Sequence, residues 1–186
     1  MDDENLPGSY TIMTDAGMCA LWQPEHFAHV GDDEWADVLG TDAAMESCIE
    51  AGVFVPLNIG SDGVYRVVLR TGERTAREKR YTQLSSEPYL LVSKGVVALS
   101  GVEYILGQEE AEKIDLAPGR YTVTVHWIEW EAEPGSVDAR GKVTGSALPD
   151  FVVEITPERR PAPTYRKNVN TFDWDEWVRR ILRDKE

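Results

Sequence analysis

Arg120-Tyr121-Thr122-Val123-Thr124-Val125-His126-Trp127-Ile128-Glu129-Trp130 is the longest strand pattern in the chain. Successive side chains of a strand point to opposite faces, so Tyr121, Val123, Val125 and Trp127 share one face. Thr122, Thr124, His126, Ile128 and Trp130 share the other. The run is apolar on both sides toward its end. That pattern belongs to a strand in the middle of a sheet, covered on each face. Pro118-Gly119 just before it reads as a turn.

Shorter runs of the same kind flank it. Residues 10–14 and 18–22, separated by Asp15-Ala16-Gly17, read as a first hairpin. Residues 53–59 and 64–69, joined by Gly60-Ser61-Asp62-Gly63, read as another, since Asp-Gly suits the φ > 0 positions of a tight turn. Residues 89–92 and 96–99 flank Ser93-Lys94-Gly95, a third hairpin signal. Residues 150–155 supply a last strand. Between these lie short helical segments over 34–39 and 42–51, with Gly40 and Gly52 as stops. The charged stretch 71–81 is a surface helix or loop, and the glycine-punctuated stretch 133–147 a loop. Helical crossovers between most strands are missing, so a parallel βαβ fold is excluded. The expectation is a mainly β protein, an antiparallel β-sandwich or partly open barrel with short peripheral helices and a C-terminal amphipathic helix.

The domain plan follows. A β-rich globular domain covers 1–156, acidic and partly helical over 1–62. A Pro-rich basic connector covers 157–170. The segment 171–186 is a helix, capped by Thr171, with acids in its first turns and Arg179, Arg180, Arg183 and Lys185 in its last. Trp174, Trp177, Val178 and Ile181 form its apolar stripe, to be docked on the core or on a partner.

Charge divides the chain. The 186 residues carry a net charge of −14. Residues 1–65 contain thirteen acidic residues and no Lys or Arg, whereas the remainder is nearly balanced. Such a field repels nucleic acid and anionic lipid and attracts basic partners. The acidic start lacks the basic and apolar regions of a secretory signal, and no run is long enough to span a membrane. A cytoplasmic location is therefore expected, and Cys19 and Cys48, among apolar neighbours, are expected to be free thiols.

Motifs of known chemistry are absent: no nucleophile elbow, P-loop, dinucleotide fingerprint, EF-hand loop or His-Glu-x-x-His helix. No cofactor is implied. His26 and His29, near Asp32, Asp33 and Glu34, could hold a divalent metal. His126 could act as a base at a barrel mouth. These support an alternative reading, a small-molecule or metal-dependent β-barrel hydrolase or sensor. The paired histidines of a jelly-roll metal enzyme are missing, because the long strand offers only His126.

The blocks Val55-Pro56-Leu57-Asn58-Ile59-Gly60, Asp62-Gly63-Val64-Tyr65-Arg66-Val67 and Pro118-Gly119-Arg120-Tyr121-Thr122-Val123 resemble those of small bacterial β-rich proteins of the toxin-immunity type. The resemblance spans residues 53–130, rests on turn and strand chemistry, and carries over no catalytic residue. It implies a non-catalytic binding role, such as an immunity or inhibitor protein covering a basic surface of a toxin or nuclease. The residues expected to meet such a partner are Trp22, Asp32, Asp33, Glu34, Trp35 and Asp37, together with Trp174 and Trp177 on the terminal helix. Acids flanked by aromatic anchors suit a basic partner. The same helix could instead join two copies into a homodimer.

Overall fold

The computed structural model describes residues 8–107 and 110–183. The acidic start Asp2-Asp3-Glu4 and the end Asp184-Lys185-Glu186 lie outside them. Eight strands form one mixed sheet: β1 (Ser9–Thr14), β2 (Met18–Trp22), β3 (Phe54–Asn58), β4 (Gly63–Arg70), β5 (Thr82–Ser85), β6 (Tyr89–Gly101), β7 (Glu112–Ile128) and β8 (Phe151–Pro157). Their order is β1-β4-β8-β7-β6-β2-β3, with β5 added to β7. Every pairing is antiparallel except β4 with β8. The helices are α1 (Pro24–Phe27), α2 (Trp35–Val38), α3 (Asp42–Glu50), α4 (Ala76–Arg80) and α5 (Trp174–Arg183). The protein is mainly β, as its strand patterns require, and the sheet does not close into a barrel. Among the described residues no helix is long and apolar enough to cross a membrane.

β7 is the axis of the sheet. It pairs with β6 along its first part, then with β8 on one edge and β5 on the other. Val125, His126 and Ile128 are all buried, so both faces are covered where the sequence is apolar on both sides. The core gathers Leu21, Trp22, Phe54, Leu57, Val67, Leu91, Leu99, Val123 and Val153.

Four expected turns resolve differently. Ser93-Lys94-Gly95 does not reverse the chain. It is a bulge inside the continuous strand β6, facing Pro118-Gly119 inside the continuous strand β7. Ser93 Oγ donates to the Leu116 carbonyl (2.6 Å) and accepts from Gly95 N–H (3.0 Å), replacing ladder bonds lost at the irregularity. Gly95 takes φ +120°, and Pro118, with no N–H to give, is tolerated at such a bulge. Likewise β1 and β2 do not pair. The Gly17 carbonyl accepts the N–H groups of Ile59 (3.0 Å) and Gly60 (2.8 Å), which ties this turn to the β3–β4 loop. β1 turns away to β4, and the β3–β4 loop carries the chain from one end of the strand order toward the other. The sheet curls enough that a Cβ on Gly101 of β6 would sit 2.7 Å from the Met13 carbonyl oxygen of β1.

β3 is an end strand, and the tail of the chain covers it. Thr171 Oγ1 accepts from Asn58 N–H (2.8 Å) and donates to the Pro56 carbonyl (2.7 Å). A hydroxyl thus satisfies an edge that would otherwise invite a foreign strand. Asp173, rather than Thr171, caps α5, its Oδ1 accepting from Glu176 N–H (2.9 Å). Arg166 fixes the approach: its N–H donates to the Pro88 carbonyl (2.8 Å), and its guanidinium bonds Tyr89 Oη and the Asn170 carbonyl.

Candidate partner-binding surface

The segment 24–51 wraps one side of the sheet in three short helices. Gln23 Oε1 accepts from His26 N–H to start α1, and Thr41 Oγ1 accepts from Ala44 N–H to start α3. Leu39, Cys48 and Ile49 face the core, which leaves the polar positions outside. Asp32, Asp33, Glu34 and Asp37 are all exposed. Among the described residues up to 62, the acids in ion pairs are Glu25, with Lys94 (3.1 Å), and Glu50, with Lys167. Among the described residues the carboxylates around α2 have no cation.

Beside them lies a groove of about 430 Å³ between α2 and the 3-10 turn Val102–Tyr104. Trp35 and Asp32 form one wall; Val102, Glu103 and Leu106 form the other. Trp35 is half-buried and packs on the core through part of its ring. The Glu103 carboxylate is held in place by Asp15 N–H (2.6 Å). The field here is negative: desolvation and the carboxylates of Asp15, Glu110 and Glu103 together raise the Tyr104 phenol above its usual pKa. Burial first, then Glu103, pushes the Cys19 thiol up to about 12. Cys19 and Cys48 are both free and buried.

The tryptophans divide. Trp22 is fully buried, its indole N–H donating to Ser100 Oγ at 3.0 Å. Its placement corrects the expectation of a partner contact, because every residue of β2 is covered on both faces. Trp174 and Trp177 sit on the near side of α5, with ring centroids 5.6 and 5.9 Å from Trp127. Trp174 remains 40% exposed, and Val178 and Leu182 continue an apolar strip along the helix. Phe172 stacks on Phe151 at 6.4 Å, and Tyr65 meets Phe151 edge-on at 6.0 Å. Sequence reading missed this aromatic cluster, whose members come from β4, β7, β8 and the tail.

The histidines fall in two settings. His26 and His29 are exposed, and among the described residues no group of three or more His, Cys, Asp or Glu gathers to hold a metal ion. His126 is 3% exposed. Ser85 Oγ lies 2.7 Å from its Nδ1, and Glu154 Oε2 lies 3.4 Å from its Nε2. Burial first, then the Arg74 guanidinium, pushes its pKa down to about 4, against the pull of Glu154. The imidazole is therefore neutral at physiological pH. It belongs to an ionic layer on the outer face of the sheet. There Glu154 Oε1 accepts from Arg74 N–H (2.8 Å), and Arg70 forks onto Glu78 (2.9 and 2.6 Å). Burial raises the Glu78 carboxyl, but its bonds from Arg70 and Thr75 outweigh that and hold it below the usual range. Thr75 and Glu78 form a capping box at the start of α4, so the expected surface helix is anchored from beneath.

No protein-family model matches the chain, and no curated protein matches it. Among solved structures it is similar to the protein of crocagin biosynthetic gene J, with TM-score 0.54 and 18% identity over 86% of this chain and all of that one. That likeness is one of fold. A looser match is ComJ, inhibitor of the DNA degrading activity of NucA, from Bacillus subtilis, with TM-score 0.47 and 10% identity over 82% of this chain and 96% of that one.

Proposed function

We propose that this protein is a non-catalytic binding protein whose acidic face covers a basic surface on a partner protein. An immunity or inhibitor protein acting on a toxin or nuclease is the concrete form. The observation that carries the reading is the set of exposed carboxylates Asp32, Asp33, Glu34 and Asp37, without cations among the described residues, beside a groove that contains Trp35 and Glu103. Carboxylates kept free of counter-ions steer a basic partner during encounter, and an aromatic wall with apolar neighbours supplies the desolvated contact. A lysine or arginine side chain entering the groove meets Asp32 and Glu103 at its charged end and Trp35 along its stem.

The test compares wild type with a variant carrying Asp32→Asn, Asp33→Asn, Glu34→Gln and Asp37→Asn. Both are immobilised and exposed to lysate of the source cell at low salt. The expected result is that wild type retains a strongly basic protein, with pI above about 9, that the variant releases. Adding free wild-type protein then inhibits the enzymatic activity of that basic protein. Equal retention by both forms removes the acidic face from the account.

A further inference from the structure

A cavity of about 250 Å³ opens between the β3–β4 loop, the start of β8 and the tail that leads into α5. Five aromatic rings line it: Tyr65, Trp127, Phe151, Phe172 and Trp174. Several meet at steep angles rather than in a stack. Trp127 and Trp174 are inclined at 62°, Phe172 and Trp174 at 75°, and Tyr65 and Phe151 at 60°. Steeply inclined rings wall the space, while Phe151 and Phe172 lie nearly parallel, at 13°. The Tyr65 hydroxyl is engaged by Ser61, also on the cavity wall, through its carbonyl (3.0 Å) and Oγ (2.7 Å), which fixes the ring.

One lining residue is charged. Asp150 accepts from Trp130 Nε1 on Oδ1 (2.8 Å) and from Arg66 N–H on Oδ2 (2.7 Å). Each oxygen keeps acceptor capacity beyond one bond. No cation pairs with Asp150 among the described residues. The guanidinium of neighbouring Arg66 turns to the Ala147 and Leu148 carbonyls instead. The cavity therefore combines negative ring faces with a carboxylate that lacks a counter-ion. A neutral apolar ligand would gain from the rings alone, whereas an organic cation gains from both.

We propose that this cavity binds a quaternary ammonium group, held against the faces of Trp127, Trp174, Phe172 and Tyr65 with Asp150 as its counter-charge. Methylated ammonium suits the site because it loses little hydration on entry and offers methyl groups to the rings. The volume admits a trimethylammonium head with a short stem. The site shares no residue with the acidic groove and stands independently of the proposed partner.

The test is ligand-observed NMR on the full chain with three probes. These are choline, its uncharged isostere 3,3-dimethylbutan-1-ol, and a blocked Nε-trimethyllysine amide. Choline is expected to bind saturably, with the isostere at least about tenfold weaker, because the two differ only in charge. Tighter binding of the trimethyllysine probe than of choline would identify a protein-borne ammonium as the source, and the reverse a free small molecule. Trp174→Leu, on a helix at the rim, should abolish the choline signal. Asp150→Asn, which keeps an acceptor for Arg66 N–H, should weaken it several-fold, and circular dichroism checks that both variants are folded. Equal binding of choline and its isostere, no saturable binding of either cation, or choline binding unchanged in folded Trp174→Leu would each overturn the proposal.

Discussion

Carboxylates behave differently in the two parts of this molecule. Beyond residue 65 a set of acids is matched: Glu78 with Arg70, Glu154 with Arg74, Glu133 with Arg77, Glu158 with Arg120 and Glu87 with Arg166. In the helical segment 24–51 the acids around α2 stand in solvent, without cations among the described residues. A paired acid beneath a helix is part of what holds the fold, and its removal strands a guanidinium. An unpaired exposed acid contributes little to folding and raises the local negative potential, so it remains free for association. The comparison separates paired charge from exposed charge within one chain.

The largest effect should come from breaking the buried pair. Glu78→Ala leaves Arg70 without its partner and removes the glutamate half of the capping box of α4, and should cost about 3 kcal/mol of stability in urea unfolding. A cost under about 0.5 kcal/mol would mean that the ionic layer is not structural. Close behind comes acid sensitivity. The His126 imidazole takes its proton near pH 4 when folded and near 6.5 when unfolded, so the unfolded chain binds the extra proton first as pH falls. Stability should therefore drop by roughly 3 kcal/mol between pH 6.5 and 4, and His126→Gln should flatten that slope. An unchanged slope in a folded His126→Gln variant would locate the acid sensitivity elsewhere. Next, Thr171→Val removes a donor and an acceptor from the β3 edge and should cost about 1–2 kcal/mol. Amide exchange at Asn58 should quicken with it. Smallest of all, Asp33→Asn should change stability by less than about 0.5 kcal/mol, since its carboxylate is exposed.

How far the sequence discloses all this depends on whether a property is local. Alternation over 120–130 places β7 correctly in the middle of a sheet, because burial on two faces is written into consecutive residues. The turns are harder. Ser93-Lys94-Gly95 permits a bulge as readily as a reversal, and the choice is made by Leu116 and Gly119 on the partner strand, remote in sequence. Gly60-Ser61-Asp62-Gly63 has hairpin chemistry, yet its flanking strands pair with β2, β1 and β8. Among candidate site residues, the exposed acids of 32–37 are legible because an ionised carboxylate stays in water unless it is paired. Trp22 lies in a continuous apolar run, residues 18–22, which by the same rule belongs to a strand covered on both faces, so its burial is legible there. Glu103 reaches the acidic groove from a different stretch of chain. The ring-lined cavity draws on residues as far apart as Tyr65 and Trp174, and no local pattern announces it.

The central claim is that the acids around α2 serve recognition rather than folding. The measurement that meets it most directly is the association rate of the captured basic partner as a function of salt. Wild type and the variant neutralised at Asp32, Asp33, Glu34 and Asp37 would be compared. The wild-type rate should fall at least about tenfold between low and high ionic strength, while the variant should start near the wild-type high-salt value and change little. Identical rates and identical salt dependence for the two forms would contradict the account.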